Sequence, residues 1–318
     1  MNLCQGFKEN IKLNQKEILE KKTVLLSKPR KLNVALTTRC NISCIMCEVR
    51  KNAWEIPEET IKEITLFFPY LERIIWQGGE VFLFDSFREI LQEASRYPNI
   101  THEITTNSHM IDEDWIGIIK KINLDLNISI DGFSQTTYEY IRRGSKFSDL
   151  IKTLNLINET RRGDAHKILV LIFTVIKSNF KELDKIVDFA KRYNFNRIII
   201  QPVKGNHENE ENIFYHRDTE ALEYIEGIKG KLKKEAEEAG IDLEEWLPTN
   251  LFSKSYHKIS AKIETENLKE EKPGSYNTND IFCYAPWEQL FIEWGGKGYP
   301  HCLCLEDGLN ESRVIGNV

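Results

Sequence analysis

From about residue 31 to residue 202 the chain alternates between short apolar runs and longer stretches with apolar residues at helical spacing. The apolar runs read as strands: "KLNVALT" at 31–37, "RIIWQ" at 73–77, "THEITT" at 101–106, "LDLNISI" at 124–130, "HKILVLIFTVI" at 166–176 and "NRIIIQP" at 196–202. Helical spacing marks "PEETIKEITLFF" at 57–68, with Pro57 in the first turn, then "SFREILQEASR" at 86–96 and "DEDWIGIIKKI" at 112–122, with acids at its front. Further helical stretches lie around 136–142, 147–161 and 180–193. Strands alternating with helices predict a parallel sheet joined by right-handed crossovers. Six repeats fall short of a closed eight-stranded barrel. The expected fold is therefore α/β, a partial (β/α)6 TIM-like barrel with its active face at the C-terminal ends of the strands.

The flanks have a different character. Residues 8–27 read as a polar, partly amphipathic helix, "KGNHENEENIFYHRD" at 204–218 as an acidic loop, and "TEALEYIEGIKGKLKKEAEEAG" at 219–240 as a charged helix with a solvated face. "KEEKPGSYNTND" at 269–280 is a breaker-rich connection. "CYAPWEQLFIEWGGKGYPHCLC" at 283–304 alternates, turns at Gly295-Gly296 and reads as a β-hairpin with cysteines on both flanks. Four parts are expected: an N-terminal helical extension (1–30), the alternating core (31–203), a helical connecting region (204–280) and a small C-terminal β-hairpin/helix domain (281–318).

Composition narrows the function. The net charge of −6 lacks the basic excess of a general nucleic-acid binder. No apolar run reaches membrane-spanning length, and "MNLCQGFKENIKLNQ" lacks the apolar stretch of a signal peptide, so Cys4 does not read as a lipoprotein site. A cytoplasmic location is expected, with no nucleic-acid or membrane partner. In that compartment thiols stay reduced, and grouped cysteines bind metal or do chemistry more often than they form disulfides.

Three of the seven cysteines, Cys40, Cys44 and Cys47, follow the first strand in "TTRCNISCIMCEVR" with the spacing C-x3-C-x2-C. Three thiolates on one loop can hold three corners of a cubane iron–sulfur cluster and leave one iron without a protein ligand. Two other readings exist. One is a zinc site with a distant fourth ligand such as His102 or His109, and the other is three incidental loop thiols.

At these residues the chain resembles the radical S-adenosylmethionine (SAM) enzymes, whose hallmark is C-x3-C-x2-C after the first strand of a partial (β/α)6 barrel. The resemblance implies a [4Fe-4S] cluster on Cys40, Cys44 and Cys47 whose open iron takes the amino and carboxylate groups of SAM. One electron then cleaves SAM to methionine and a 5′-deoxyadenosyl radical, which abstracts a hydrogen atom from the substrate. Which side chain acts on the substrate is left open, the radical being generated at the cluster on Cys40, Cys44 and Cys47. Met46 stands where the family often has an aromatic residue near the adenine.

Further stretches fit the same family. "IIWQGGEV" places Gly78, Gly79 and Glu80 where a Gly-Gly-Glu stretch lies against the SAM methionyl group, with Glu80 accepting from its ammonium; Val81 replaces the usual proline. "ITTNSHM" resembles a T-N-G stretch with Ser108 in place of glycine, so Asn107 is a cofactor-binding candidate as well as a capping candidate. "ISIDGFSQTTYEYIRRGSKF" resembles an S-x-D-G stretch followed by a helix that ends in arginine and glycine. It implies Ser129 on the ribose, Asp131 as a further cofactor-binding candidate, and Arg142 or Arg143 on the SAM carboxylate. Gln201 is a candidate for the adenosine.

Cys283, Cys302 and Cys304, with "VIGNV" after them, resemble the start of a SPASM or twitch domain, which implies a second, auxiliary [4Fe-4S] cluster. A full SPASM domain carries more cysteines, so a one-cluster form or a domain cut short at Val318 is expected. A zinc site with His301, or plain buried thiols, are the alternatives. The functional expectation is a radical SAM oxidoreductase or maturase that modifies a peptide or protein of the ribosomal-peptide type. An electron donor such as flavodoxin or ferredoxin is implied. The alternatives are dehydrogenation or epimerisation of an aminocyclitol or sugar, and, in another class, a non-catalytic iron–sulfur or zinc sensor.

Overall fold

A computed structural model describes residues 3–47, 53–161, 167–203, 208–248, 288–293, 295–300 and 316–317. The six expected strands are present as β1 (Lys31–Thr37), β3 (Arg73–Gly78), β4 (Thr101–Thr106), β5 (Asn123–Ser129), β7 (Lys167–Val175) and β8 (Arg197–Pro202). Each pairs in parallel with the next, in chain order. The connections carry helices α2 (Glu58–Thr65), α3 (Phe87–Ala94), α4 (Glu113–Ile119), α5 (Gln135–Ile141), α6 (Phe147–Arg161) and α7 (Ile186–Arg192). The result is a mixed α/β fold with a mainly parallel sheet, and a partial barrel is consistent with it.

The sheet runs on at both edges. Strand β9 (Asp242–Glu245) pairs in parallel with β8. At the other edge β10 (Gln289–Ile292) pairs in parallel with β1, and β11 (Lys297–Pro300) and β12 (Gly316–Asn317) follow antiparallel. The hairpin expected around Gly295-Gly296 is therefore β10–β11, with Gly296 at φ 77 in its turn. It is fastened to the barrel by Arg30, whose guanidinium meets Glu288 at 2.8 Å and Glu72 at 2.7 Å.

The two faces of the sheet differ. Leu32, Val34, Leu36, Ile74, Trp76, Ile104, Leu126, Leu171, Phe173 and Ile198 point at the helices and belong to one large buried cluster with Phe68, Phe87 and Leu154. The residues between them face the lumen. There Arg73 pairs with Asp125 (2.7 Å) and Glu103 (3.1 Å), and Asn127 donates to Glu103 (3.0 Å). A small separate apolar patch of Val170, Ile172 and Ile199 closes the lumen on the β7–β8 side.

The helix expected over 8–27 is α1 (Leu3–Leu19) and stops earlier. Past Leu19 the chain folds back along the helix. The Glu17 carboxylate accepts from the N–H groups of Leu26 (2.7 Å) and Ser27 (3.2 Å), and the Asn10 carboxamide oxygen accepts from that of Lys28 (2.8 Å). Those side chains give the backbone an alternative to helical pairing. The charged helix is α8 (Thr219–Ala239), opened by Asp218, which accepts from the Ala221 N–H, and ended by Gly240 in the left-handed region.

Candidate functional site

The loop after β1 and the C-terminal ends of β3, β4, β5, β7 and β8 surround a cavity of about 410 Å³. That size suits a small-molecule ligand. Cys40, Cys44 and Cys47 line it, together with Met46, Gly78, Gly79, Asn107, Ser129, Arg142 and Gln201, so nine of the expected site residues other than Arg142 are brought to one place. Three more of its walls come from Thr105, Thr106 and Thr174. Sequence reasoning passed over these threonines. Only Thr174 carries a signal of its own: it is the one hydroxyl residue near the C-terminal end of the otherwise apolar run "ILVLIFTV".

The cysteine loop is held by backbone pairing. Its two-residue strand β2 (Ser43–Cys44) pairs antiparallel with β6 (Arg142–Arg143), opposing Cys44 to Arg142. Below it, the Ile45 N–H donates to the Ile141 carbonyl (2.9 Å), and the Asn209 side chain donates to the Ile45 carbonyl (2.9 Å). Inside the loop the Cys47 N–H reaches the Cys44 carbonyl at 3.2 Å. Met46 packs with Ile141, Ile176 and Val203, which turns the thiols toward the cavity. Burial pushes the Cys44 thiol up to about 11, while the neighbouring Arg142 charge pulls it down.

Gly78 and Gly79 act through the stem of that loop. A Cβ on Gly78 would lie 2.2 Å from the Thr37 carbonyl oxygen, and one on Gly79 2.1 Å from that of Arg39. Contacts this short are forbidden to any side chain, so only glycine lets the two segments pair. The Gly79 N–H donates to Thr37 (2.6 Å) and the Glu80 N–H to Arg39 (2.7 Å).

Glu80 does not line the cavity. It is fully buried, with its oxygens accepting from the Thr106 hydroxyl (2.7 Å), the Asn107 N–H (2.8 Å) and the Phe82 N–H (3.4 Å). Burial pushes its carboxyl up to about 7, against the pull of these donors. Ser108, where the resembled motif has glycine, sits at φ 69, the conformation that explains that preference.

The two arginines separate. Arg142 is buried and lines the cavity, with its guanidinium 2.7 Å from the Asp131 carboxylate. Asp131 lies behind it, fully buried, and accepts from the Thr174 N–H at 2.8 Å, so it orients the arginine from outside the cavity. Arg143 is exposed, with its guanidinium 5.8 Å from the Tyr140 ring. Gln201 donates to the Thr174 hydroxyl at 3.3 Å.

The histidines do not join the thiols. His102 is buried under the sheet, accepts from the Trp76 indole N–H (3.1 Å) and is driven down to about 3 by burial. His109 lies outside the cavity wall with its ring 2.9 Å from the Tyr138 hydroxyl. Among the described residues no three His, Cys, Asp or Glu side chains group tightly enough for a single metal ion. Cys283, His301, Cys302 and Cys304 lie outside the described residues.

The residues present fit an iron–sulfur cluster with a bound amino acid-like group. Three thiols share one cavity with the Arg142 side chain, a cation suited to a carboxylate, and the Arg142 Nε–H is buried without a hydrogen-bond partner. No helix among the described residues is long and apolar enough to cross a membrane.

Comparison with known proteins agrees with this geometry. Residues 34–190 match the family described as the Radical SAM superfamily. A GTP 3′,8-cyclase from Synechocystis sp. is 26% identical over 171 residues, covering 52% of this chain and 51% of that protein. A probable GTP 3′,8-cyclase from Methanothermobacter marburgensis is 30% identical over 118 residues, covering 35% and 38%. The chain thus spans about half, or less, of the curated relatives it matches. Among solved structures, SuiB of Streptococcus suis aligns with a TM-score of 0.65 at 16% identity, covering 97% of this chain and 67% of that one. The protein anSMEcpe with bound AdoMet aligns with a TM-score of 0.62 at 16% identity, covering 91% and 78%.

Proposed function

We propose that this chain is an enzyme of the Radical SAM superfamily, the family that residues 34–190 match and one that uses a [4Fe-4S] cluster and SAM, that Cys40, Cys44 and Cys47 hold the cluster, and that the cavity beside them holds SAM. The observation that carries this reading is the convergence of the three thiols and the Asp131-held Arg142 side chain on one cavity. When bound, the reduced cluster would supply one electron to SAM, splitting it into methionine and a 5′-deoxyadenosyl radical able to take a hydrogen atom from the substrate. The protein's own residues do the rest. Arg142, held by Asp131, faces the carboxylate of SAM. Ser129, Thr174 and Gln201 offer hydroxyl and amide groups to the adenosine, and Met46 gives its apolar side. Gly78 and Gly79 keep the loop stem closed against β3.

For the substrate, the proposal is a peptide or protein side chain. The fold is shared with SuiB, solved bound to the precursor peptide SuiA, and with anSMEcpe, solved with a bound peptide. A small-molecule substrate is the second reading, favoured by relatives described as GTP 3′,8-cyclases. The domain division at residues 30, 203 and 280, and an auxiliary cluster on Cys283, Cys302 and Cys304, belong to the same proposal. The test is anaerobic reconstitution with iron and sulfide, followed by SAM and dithionite. Release of 5′-deoxyadenosine is expected. SAM left intact would favour a sensor and overturn the enzyme reading of this site.

A further inference from the structure

The Asn107 carboxamide bridges the end of β4 and the cysteine loop. Its Nδ2 lies 2.7 Å from the Asn41 Oδ1 and 3.7 Å from the Cys40 sulfur. Its orientation is fixed by chemistry, because Oδ1 accepts from the backbone N–H of His109 at 3.0 Å, and a backbone N–H cannot accept. The NH2 group therefore faces the loop, with one hydrogen for each acceptor. The side chain is also held in place. Asn107 is 5% exposed, and its own N–H is tied to the buried Glu80 carboxylate at 2.8 Å.

We infer that Asn107 donates a hydrogen bond to the sulfur of Cys40 in the loaded protein and thereby raises the reduction potential of the cluster. The inference rests on the reading of Cys40 as a cluster ligand. A donor aimed at a thiolate withdraws negative charge from it. Reduction adds one electron, so the donor stabilises the reduced state more than the oxidised one. Partners outside the ligand set commonly tune metal sites in this way. Asn107 is thus a tuning and positioning residue, acting on the cluster through Cys40.

The experiment is a redox titration, followed by electron paramagnetic resonance without SAM, on reconstituted wild type, Asn107→Ala, Asn107→Ser, Asn107→Asp and Asn41→Ala. The Ala and Ser variants should show a more negative midpoint than wild type at the same iron content. Asn107→Asp should be more negative still, because its carboxylate repels the thiolate. Asn41→Ala loosens the same loop but keeps the donor, and should stay nearest to wild type. Midpoints of the Asn107 variants that coincide with wild type would overturn the inference. So would a shift in Asn41→Ala as large as in Asn107→Ala, which would leave Asn107 only a structural part. A wild type that assembles no four-iron cluster would overturn the reading beneath as well, which separates the two failures.

Discussion

The helix-facing side and the lumen-facing side of this sheet are built from alternate residues of the same strands, yet they do different work. On the helix side Trp76 is fully buried against Phe87, with ring centroids 5.6 Å apart, inside the large apolar cluster. On the lumen side the neighbouring layer is ionic, with Arg73 between Glu103 and Asp125, and it opens upward onto Thr105, Ser129 and Thr174. A parallel sheet covered by helices is usually apolar on both faces. Here one face supplies the burial that drives folding, and the other carries the polar groups a site requires. The lesson is that the stability and the chemistry of this domain can be perturbed separately.

That separation can be broken from either side. Trp76→Ala should cost about 3–5 kcal/mol of stability, from lost burial and a cavity, and it also leaves His102 without its donor. Denaturant titration measures the loss, and SAM cleavage per folded molecule should be unchanged; a variant as stable as wild type would contradict the helix-side account. Arg142→Lys should weaken SAM binding roughly tenfold, because an ammonium cannot reproduce the planar fork. Arg143→Lys should leave SAM binding as it is. Equilibrium dialysis on the reconstituted proteins distinguishes them, and equal losses in both would refute the assignment of the buried arginine.

The smallest effect concerns pH. Glu80 has its carboxyl raised from about 4.5 to about 7 by burial. The folded protein holds that proton more tightly than the unfolded chain. The group's contribution to stability is therefore complete below about pH 4.5 and is lost as the pH rises to about 7. Between pH 5 and pH 7 wild type should lose stability relative to Glu80→Gln. Chemical denaturation at the two pH values checks this, and a gap that moves in favour of wild type would show that the three donors to Glu80 outweigh its burial.

Much of this architecture was legible in the sequence because apolar runs of strand length alternate with helical spacing, and all six strands of the parallel core follow that pattern. The glycines at 78 and 79 were legible as a motif. Their reason was not, since it lies in the approach of Thr37 and Arg39, which are distant along the chain. Strand β9, "DLEE", carries no apolar alternation; its charges are satisfied by Arg197, 2.7 Å from Asp242, and by Lys229, 2.9 Å from Glu245. The two-residue pairing of Cys44 with Arg142 is too short to leave a pattern. The choice between Arg142 and Arg143 depended on that pairing, which turns one inward and the other to solvent. The histidines are the converse case. Their residue type suggested metal, and their surroundings put His102 in the core and His109 against Tyr138.

The central claim is that the polar end of the lumen uses three thiols to hold the cluster that cleaves SAM. The most direct measurement is 5′-deoxyadenosine released by anaerobically reconstituted Cys40→Ala, Cys44→Ala and Cys47→Ala, with wild type alongside. The account predicts release by wild type and none above background from any of the three, with each still folded by circular dichroism. Release at the wild-type level from any one of them would contradict it.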